Sequence, residues 1–274
     1  MVSLNTNISS LTAQRLVNIN AAHLAKTTER LSSGLRINNA SDDPSGLGIS
    51  QVLTSQIRGD TMATNNLQQA SSMLQVADAA LSNIGDILQR MRELAVQGNN
   101  TALSTSQSTS LQAEFSSLTT AITNITSGVT FNGIALLTGG TGTVTLQIGA
   151  ATTATTTIGF GTDFRANAST IGTSTLSVSS AAAAAVAATA LDTAISNLST
   201  ARGNFGAKSQ ELGYLKGALD STIIANTDAR ARITDADVAS EVSNLVRQQL
   251  IQQAGTSALA AANFSAQFVV SLLR

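Results

Sequence analysis

The residues best placed to do chemistry are two groups of carboxylates, Asp42 with Asp43, and Asp235 with Asp237 and Glu241. Carboxylates this close in sequence can exchange protons with a substrate or supply the oxygen ligands that Ca²⁺ binds. Each group also stands just before a predicted helix, where a carboxylate accepts hydrogen bonds from free backbone N–H groups and faces the positive end of the helix dipole. Capping requires nothing beyond the helix itself, so we predict capping at both places.

Other residue types offer little further chemistry. His23 is the single histidine and the chain has no cysteine, so a two-histidine metal site, a thiolate metal site and a cysteine nucleophile are all excluded. A lone histidine is most simply a structural or solvent-facing residue. Residues 139–142, Gly-Gly-Thr-Gly, lack the Gly-Lys-Ser/Thr ending of a phosphate loop and are interpreted as a turn. We therefore predict no catalytic residue, no metal site and no cofactor, and hence a protein that is not an enzyme.

The charge of the chain limits its partners. Its 274 residues carry 15 basic and 16 acidic side chains, for a formal net charge of -1. Charged residues make up 11% and aromatic residues 3%, although 43% are hydrophobic, whereas soluble domains average about 25% charged residues. Without a basic field we predict no binding to nucleic acid. A surface so poor in charge indicates that other protein covers much of it.

Segments that could target the chain to a membrane are short. The longest apolar block, at 181–190, is mostly alanine, and a helix needs about 20 apolar residues to cross a bilayer. Residues 1–7 have neither the basic nor the apolar region of a conventional secretory signal. We therefore predict a chain that is soluble or assembled, with no membrane partner.

One apolar pattern is stronger than the others. Between Leu67 and Ala95, apolar residues alternate at spacings of three and four, as in the heptad seam of a coiled coil. Asp43 with Pro44 predicts the start of this helix, and Gly98 its end. The seam consists of Leu67, Ala70, Leu74, Ala77, Leu81, Ile84, Leu88, Met91 and Ala95.

Four further helical segments follow the same period. One predicted helix ends before Gly34, and a second follows a capping box of Ser104 and Gln107. A third covers 191–219, with Lys208 in its seam, and the last is predicted to be capped by Thr234. The N-terminal seam is predicted at Val17, Ala21, Leu24, Thr28, Leu31 and Leu35, and the C-terminal apolar positions at Val238, Val242, Leu245, Phe264, Phe268, Val269, Leu272 and Leu273. The seam after the capping box is Leu111, Phe115, Leu118, Ile122, Ile125 and Val129.

The middle of the chain differs. From Thr130 to about Ser180 the helical period disappears, and 143–148 and 155–160 alternate in the manner of strands. The predicted fold class is mainly α: a long antiparallel helical coiled coil or bundle, with a small β-hairpin region at its distal end.

Ordered motifs along the chain resemble those of bacterial flagellins. They lie at 5–15, 31–38, 42–50, 54–59, 88–97, 131–133, 146–149, 232–237 and 253–263. Many members have Ala where this chain has Pro44, Ser45 and Gly48. The resemblance covers about 1–149 and 185–274, which leaves no room for an outer domain. It implies a minimal flagellin of D0 and D1 alone.

The resemblance implies four segments and a function. They are an N-terminal D0 helix and spoke at 1–42, D1 helices with the β-hairpin region at 43–180, a D1 helix at 181–233 and a C-terminal D0 helix at 234–274. The chain would self-assemble into the flagellar filament used for swimming, and the alternative is a hook-filament junction protein. The terminal helices would assemble through Ile8, Leu11, Leu16, Leu24, Leu31, Leu250, Leu259, Phe264, Phe268 and Leu272.

The resemblance also implies partners. These are other copies of the chain, the flagellar cap and hook-filament junction proteins, and an export chaperone, with type III export to an extracellular filament and no cleaved signal peptide. Arg90, Leu94 and Glu114 match the residues that the vertebrate flagellin-sensing Toll-like receptor contacts, and Leu94 is predicted to lie outside the heptad seam. Subunit contacts or surface ion pairs explain Arg90 and Glu114 equally well. The Ser/Thr-rich stretch 138–180 is expected to face outward, for O-linked sugars or for solubility.

Overall fold

The structure, a computed structural model, describes residues 6–138, 143–151, 153–159 and 175–272, with the backbone alone for Thr143, Gly159 and 265–272. This part of the chain is mainly helical, which confirms the predicted fold class. The helices are α1 (Ile8–Ser33), α2 (Pro44–Gly98), α3 (Thr105–Gly128), α4 (Ala181–Thr234) and α5 (Val238–Leu272). The strands are β1 (Thr130–Phe131), β2 (Ile134–Ala135), β3 (Thr143–Gln147) and β4 (Thr155–Gly159).

Local signals at the helix ends explain where the helices begin and stop. Oδ1 of Asp43 accepts the Gly46 N–H at 2.9 Å, and Ser104 with Gln107 forms the predicted capping box of α3. Gly34 follows α1 with a φ of 70°, in the left-handed region that glycine adopts without steric cost. These three predictions are confirmed.

The predicted cap of the last helix is wrong by three residues. Thr234 is the final residue of α4, and its hydroxyl donates to the Arg230 carbonyl at 3.0 Å. Asp237 caps α5 instead, because its Oδ1 accepts the N–H groups of Ala239 and Ser240 at 3.0 and 3.3 Å. A carboxylate directly before the helix can reach these donors, which are unpaired within the helix.

Two compact units make up the chain. The first contains 1–55 and 225–274, and the second contains 56–224. Their boundaries fall inside α2 and α4, whereas the predicted segments end between helices, so the four-segment division stays a prediction.

The core of the second unit follows the predicted α2 seam. All nine seam residues from Leu67 to Ala95 are buried, together with Leu111, Phe115 and Ile122 of α3. The α4 residues that complete this core are Ala184, Ala187, Leu191, Ala194, Leu198, Ala201, Phe205 and Leu212. Helix α4 runs antiparallel to α2, since Arg92 pairs with Asp192 and Arg202 pairs with Asp78. Lys208 stays half-buried in the α4 seam by directing its ammonium to Glu211, 2.8 Å away.

Both strand pairs are antiparallel hairpins. Strands β3 and β4 confirm the predicted pair at 143–148 and 155–160. Strands β1 and β2 are joined by Asn132 and Gly133, with φ values of 49° and 78°. Two consecutive positive φ values are typical of the tight two-residue turn that Asn-Gly favours. Ile158 is the fully buried residue of β4 and packs into the core of this unit.

Helix α4 is also apolar over a long stretch. By length and composition it could cross a membrane, with a mean hydropathy of 1.3 over an 18-residue window of which 28% is buried. The prediction that no apolar segment is long enough to cross a membrane is therefore corrected. That prediction counted only the uninterrupted alanine-rich block at 181–190, whereas isolated Thr and Ser residues after it leave the mean hydropathy of the window high. The buried side of α4 nevertheless belongs to a packed protein core.

Candidate assembly surface

Helices α1 and α5 pack against each other in the first unit and run antiparallel. Contacts near the start of α1 reach the end of α5: Asn7 donates to the Ala262 carbonyl at 2.9 Å, and the Ser10 hydroxyl donates to Asn263 at 2.7 Å. At the other end, Arg30 lies 3.2 Å from Glu241. The predicted antiparallel arrangement of the two chain ends is confirmed.

The seam between α1 and α5 is partly polar. Shielded residues repeat at spacings of three and four along α1 and its C-cap: Ser10, Ala13, Val17, Asn20, Leu24, Thr27, Leu31 and Gly34. Arg30 is shielded beside them. The matching positions on α5 are Glu241, Leu245, Gln248, Gln252, Gly255, Leu259 and Ala262. The most deeply buried α1 residues are Asn20 and Thr27, so polar side chains occupy the centre of the contact.

The predicted α1 seam is therefore corrected. Val17, Leu24 and Leu31 do face α5, but Ala21, Thr28 and Leu35 are exposed. On α5, Leu245 is half-buried, whereas Val238 and Val242 are exposed. Apolar character was a poor guide here because the residues that complete the helical period, Asn20 and Thr27, are polar.

Large apolar side chains lie on the sides of α1 and α5 that face away from the seam. We define the outer face of α1 as Ile8, Leu11, Leu16 and Ile19, and the outer face of α5 as Val238, Val242, Val246, Leu250 and Phe264; all are exposed. The exposed fraction reaches 61% for Leu16, 62% for Leu250 and 70% for Phe264. Because each outer face points away from the partner helix, the helix pair carries apolar surface on two opposite sides.

The residues predicted to drive assembly fall into two classes. Ile8, Leu11, Leu16, Leu250 and Phe264 lie on the outer faces, while Leu24, Leu31 and Leu259 are half-buried in the seam. The side chains of Phe268 and Leu272 lie outside the described residues, and so do 139–142, 152 and 160–174 of the Ser/Thr-rich stretch. Sequence reasoning missed Ile19 and Val246, although Ile19 follows Leu16 by three residues and Val246 follows Val242 by four.

A charged cluster connects α2 and α3. The Arg90 guanidinium donates to Glu114 at 2.8 and 3.0 Å and to Glu93 at 2.9 Å. These hydrogen bonds, with Glu93 first, raise the pKa of Arg90. Leu94 is not part of that surface: it is 1% exposed and belongs to the core. Leu94 does lie off the predicted seam positions, but it is not available at the surface, because α2 packs against α3 as well as α4 and therefore buries a wider stripe.

The candidate acidic groups have structural contacts in the described residues. Asp43 and Asp237 cap helices, as predicted, and Glu241 pairs with Arg30. Asp42 pairs instead with Lys26 at 2.6 Å. His23 is exposed on α1. No group of three or more His, Asp or Glu side chains in the described part of the chain is arranged to hold a metal ion.

The comparisons with known proteins agree with this architecture. The family model of the bacterial flagellin N-terminal helical region matches residues 4–141, and that of the C-terminal helical region matches residues 188–273. The chain belongs to the bacterial flagellin family. A relative of this flagellin, the flagellar filament 33 kDa core protein of Treponema phagedenis, is 37% identical over 99% of both chains.

Two solved structures share the fold of this flagellin. The flagellin of Bacillus cereus superposes with a TM-score of 0.51 at 31% identity, over 57% of this chain and 88% of that one. A Vibrio parahaemolyticus protein assigned to the flagellar hook-associated proteins superposes with a TM-score of 0.59 over 71% of this chain and 100% of that one. Its identity of 15% shows a common fold alone.

Proposed function

We propose that this flagellin is the structural subunit of a bacterial flagellar filament, and that copies of it assemble through the outer faces of α1 and α5. The observation that carries the proposal is the distribution of apolar side chains on the helix pair: the most deeply buried α1 residues, Asn20 and Thr27, are polar, whereas large apolar side chains point outward. Full burial of one such side chain contributes about 1.5–3 kcal/mol. Covering both faces therefore favours association.

The two outer faces lie on opposite sides of the pair and differ in sequence. A contact that joins two different faces is heterologous, and it generates an open helical polymer when the rotation does not close. Flagella serve swimming, so a filament of this kind would work in motility. The low overall charge, 11% charged residues, supports dense packing of copies.

The alternative, a hook-filament junction protein, has weaker support. The Treponema phagedenis relative is a filament core protein by name and matches over full length, whereas the hook-associated neighbour shares the fold at 15% identity. A junction protein would form short layers, and a filament subunit forms long polymers. The length of the polymer therefore distinguishes the two.

Assembly of the purified chain from short filament fragments tests the proposal, with polymers observed by negative-stain electron microscopy. We expect long filaments from the parent chain, and none after removal of 245–274, which deletes most of α5. Leu16→Ser and Leu250→Ser should raise the critical concentration about 10-fold each, since each loses roughly 1.5 kcal/mol of burial. Gln14→Ser and Gln249→Ser are the matched controls.

Either of two results would contradict the proposal. One is a parent chain that forms only monomers or short rings. The other is normal polymerisation of both Leu→Ser variants at the concentration that the Gln→Ser controls require. Circular dichroism of the unassembled variants separates a lost contact from a lost helix.

We further propose the other partners that the family resemblance implies. They are the flagellar cap, the hook-filament junction proteins and an export chaperone, with type III export to an extracellular filament and no cleaved signal. The chain itself would have no catalytic activity, as befits a structural family. For the Toll-like receptor, the exposed Arg90 and Glu114 support a contact, whereas a buried Leu94 could contribute only by supporting α2 from inside.

A further inference from the structure

A buried amide occupies the centre of the α1–α5 contact. Asn20 is 7% exposed, and its Nδ2 donates to the backbone carbonyl of Gln248 at 2.9 Å and to Oε1 of Gln252 at 3.0 Å. One helix thus supplies a two-hydrogen donor, and the other supplies acceptors on two successive turns. We call these three residues the amide layer.

The seam pattern leaves the relative axial position of the two helices ambiguous. Because shielded positions repeat every seven residues on both helices, a slip of α5 by seven residues would again place seam against seam. Such a slip moves the outer face of α5 about 10 Å along α1. The two outer faces would then present a different surface to the next copy.

The amide layer distinguishes the observed register from the slipped ones. After a slip by seven residues, Leu245 or Leu259 would stand where Gln252 stands, and the Asn20 amide would lose its side-chain acceptor. Leaving one N–H of a buried amide without its acceptor disfavours the slipped register by about 10-fold or more.

Two other contacts depend on the same register. Gly255 faces Val17 so closely that a Cβ at position 255 would lie 2.9 Å from Cγ2 of Val17. A slip would bring Gln248 or Ala262 to this place, and both have the Cβ that Gly255 lacks. The ion pair of Arg30 with Glu241 would also break.

At one end of the α1–α5 pair, a backbone contact also fixes the axial position of the two helices. Leu35 bridges Asp235, and the Arg36 N–H donates to the Thr234 carbonyl at 2.6 Å. Asn20 lies fifteen residues before Leu35, which is about 20 Å along a helix. The amide layer is therefore a second fixed point, in the half of α1 that carries the outer face.

We propose that Asn20 is the specificity-determining residue that sets the register of α1 against α5 in this chain. The inference rests on the proposed function, since the register decides how the two outer faces meet the next copy. The layer provides specificity at a cost in stability: Oε1 of Gln248 is buried without a hydrogen-bond partner among the described residues. An apolar residue at position 20 should strengthen the pair and relax its register.

Cysteine cross-linking in the full-length chain tests this, because the parent has no cysteine. Ser10→Cys with Asn263→Cys reports the observed register, since these two side chains are in contact. Ser10→Cys with Thr256→Cys reports a slip by seven residues. Both pairs are oxidised at a protein concentration low enough for cross-links to form within one chain, under conditions in which circular dichroism shows the terminal segments to be helical.

In the parent we expect the 10–263 disulfide and almost none at 10–256. Asn20→Leu should raise the yield of the 10–256 disulfide about 10-fold, with unchanged or higher helicity. Gln252→Leu, which removes the acceptor instead, should act in the same direction and serves as the second variant if Asn20→Leu fails to fold. The matched control is Thr27→Val, seven residues further along the same buried seam, which should keep the parent ratio.

An unchanged ratio in both Leu variants would show that the Leu35 bridge alone sets the register, and would overturn the proposal. If Thr27→Val changed the disulfide ratio as much as Asn20→Leu, the proposal would also fail, since the loss of any polar seam residue would then be enough to relax the register. Failure of the parent chain to polymerise is a separate result, which contradicts the proposed function and leaves the register measurement intact.

Discussion

The ammonium of Lys26 lies 2.6 Å from Oδ1 of Asp42, so that the last part of α1 is joined to the loop before α2. The other carboxylate oxygen accepts the N–H groups of Asn38 and Asn39 at 3.1 and 3.2 Å. The hydrogen bond from Lys26, followed by those from Asn39 and Asn38, lowers the pKa of Asp42 from 3.8 to about 2. One carboxylate therefore organises this loop, and its negative charge strengthens all three contacts.

Acid should loosen the loop in a defined pH window. Because folding lowers the pKa of Asp42, the stabilisation is fully present above pH 3.8 and is lost as the pH falls through about 2. We expect the hydrogen-exchange protection of the Asn38 and Asn39 amides, corrected for intrinsic exchange, to fall with a midpoint near 2. Asp42→Asn should give low, pH-independent protection. A midpoint near 3.8 in the parent would contradict the assigned contacts.

The buried carboxylate of Asp60 holds the β3–β4 turn on α2. Asp60 is buried and accepts the Ala150 N–H at 3.1 Å, and Asn66 donates to the Gln147 carbonyl at 3.1 Å. Asp60→Ala leaves that N–H without its acceptor, which costs about 1–3 kcal/mol of unfolding free energy. Exchange of the Ala150 amide should accelerate, while Asp86→Ala, at an exposed position of the same helix, should leave it unchanged. Equal exchange in the two variants would contradict the contact.

Sequence periodicity predicted nine residues of the α2 core correctly, although it missed Met73, Ala80 and Leu94, and it predicted the α1–α5 seam poorly. In α2, all nine predicted seam positions from Leu67 to Ala95 are apolar and buried, so counting apolar residues identifies the contact. In α1, the contact includes Asn20, while Leu16 and Ile19 point outward. The same count therefore misses Asn20 and Thr27 and assigns Ala21, Thr28 and Leu35 to the seam, although these three are exposed. A seam with polar positions is visible only if all residues at spacings of three and four are considered.

Which residues of a helix are buried depends on the neighbouring elements as well as on the spacing of apolar residues. Leu94 is buried because α3 covers a second side of α2, which a two-helix pattern does not anticipate. The β1–β2 turn carried a clear signal in Asn132 and Gly133, since Asn-Gly favours two positive φ values. The outer faces needed the structure, because exposure of an apolar residue depends on which helix side the partner covers.

Burial on α2 can be tested with two methionines of the same helix. Met91 is 0% exposed and Met62 is 59% exposed, and both lie in the second unit. Met91→Ala leaves a cavity in a packed core and should cost about 2–5 kcal/mol. Met62→Ala should change the free energy of unfolding by less than about 0.5 kcal/mol. Urea denaturation of the unassembled chain measures both, and similar costs would contradict the described core.

The ion pair of Arg202 with Asp78 should contribute little stability despite its good geometry. Nε of Arg202 lies 2.8 Å from Oδ1 of Asp78 and Nη2 lies 3.4 Å from Oδ2, which raises the pKa of Arg202, the hydrogen bond being the largest cause. Both side chains are more than one-third exposed, so water and salt screen the attraction. A double-mutant cycle with Arg202→Ala and Asp78→Ala should give a coupling of about 0.2–1 kcal/mol that declines at high salt. A coupling above about 2 kcal/mol, or one insensitive to salt, would show that the pair is desolvated.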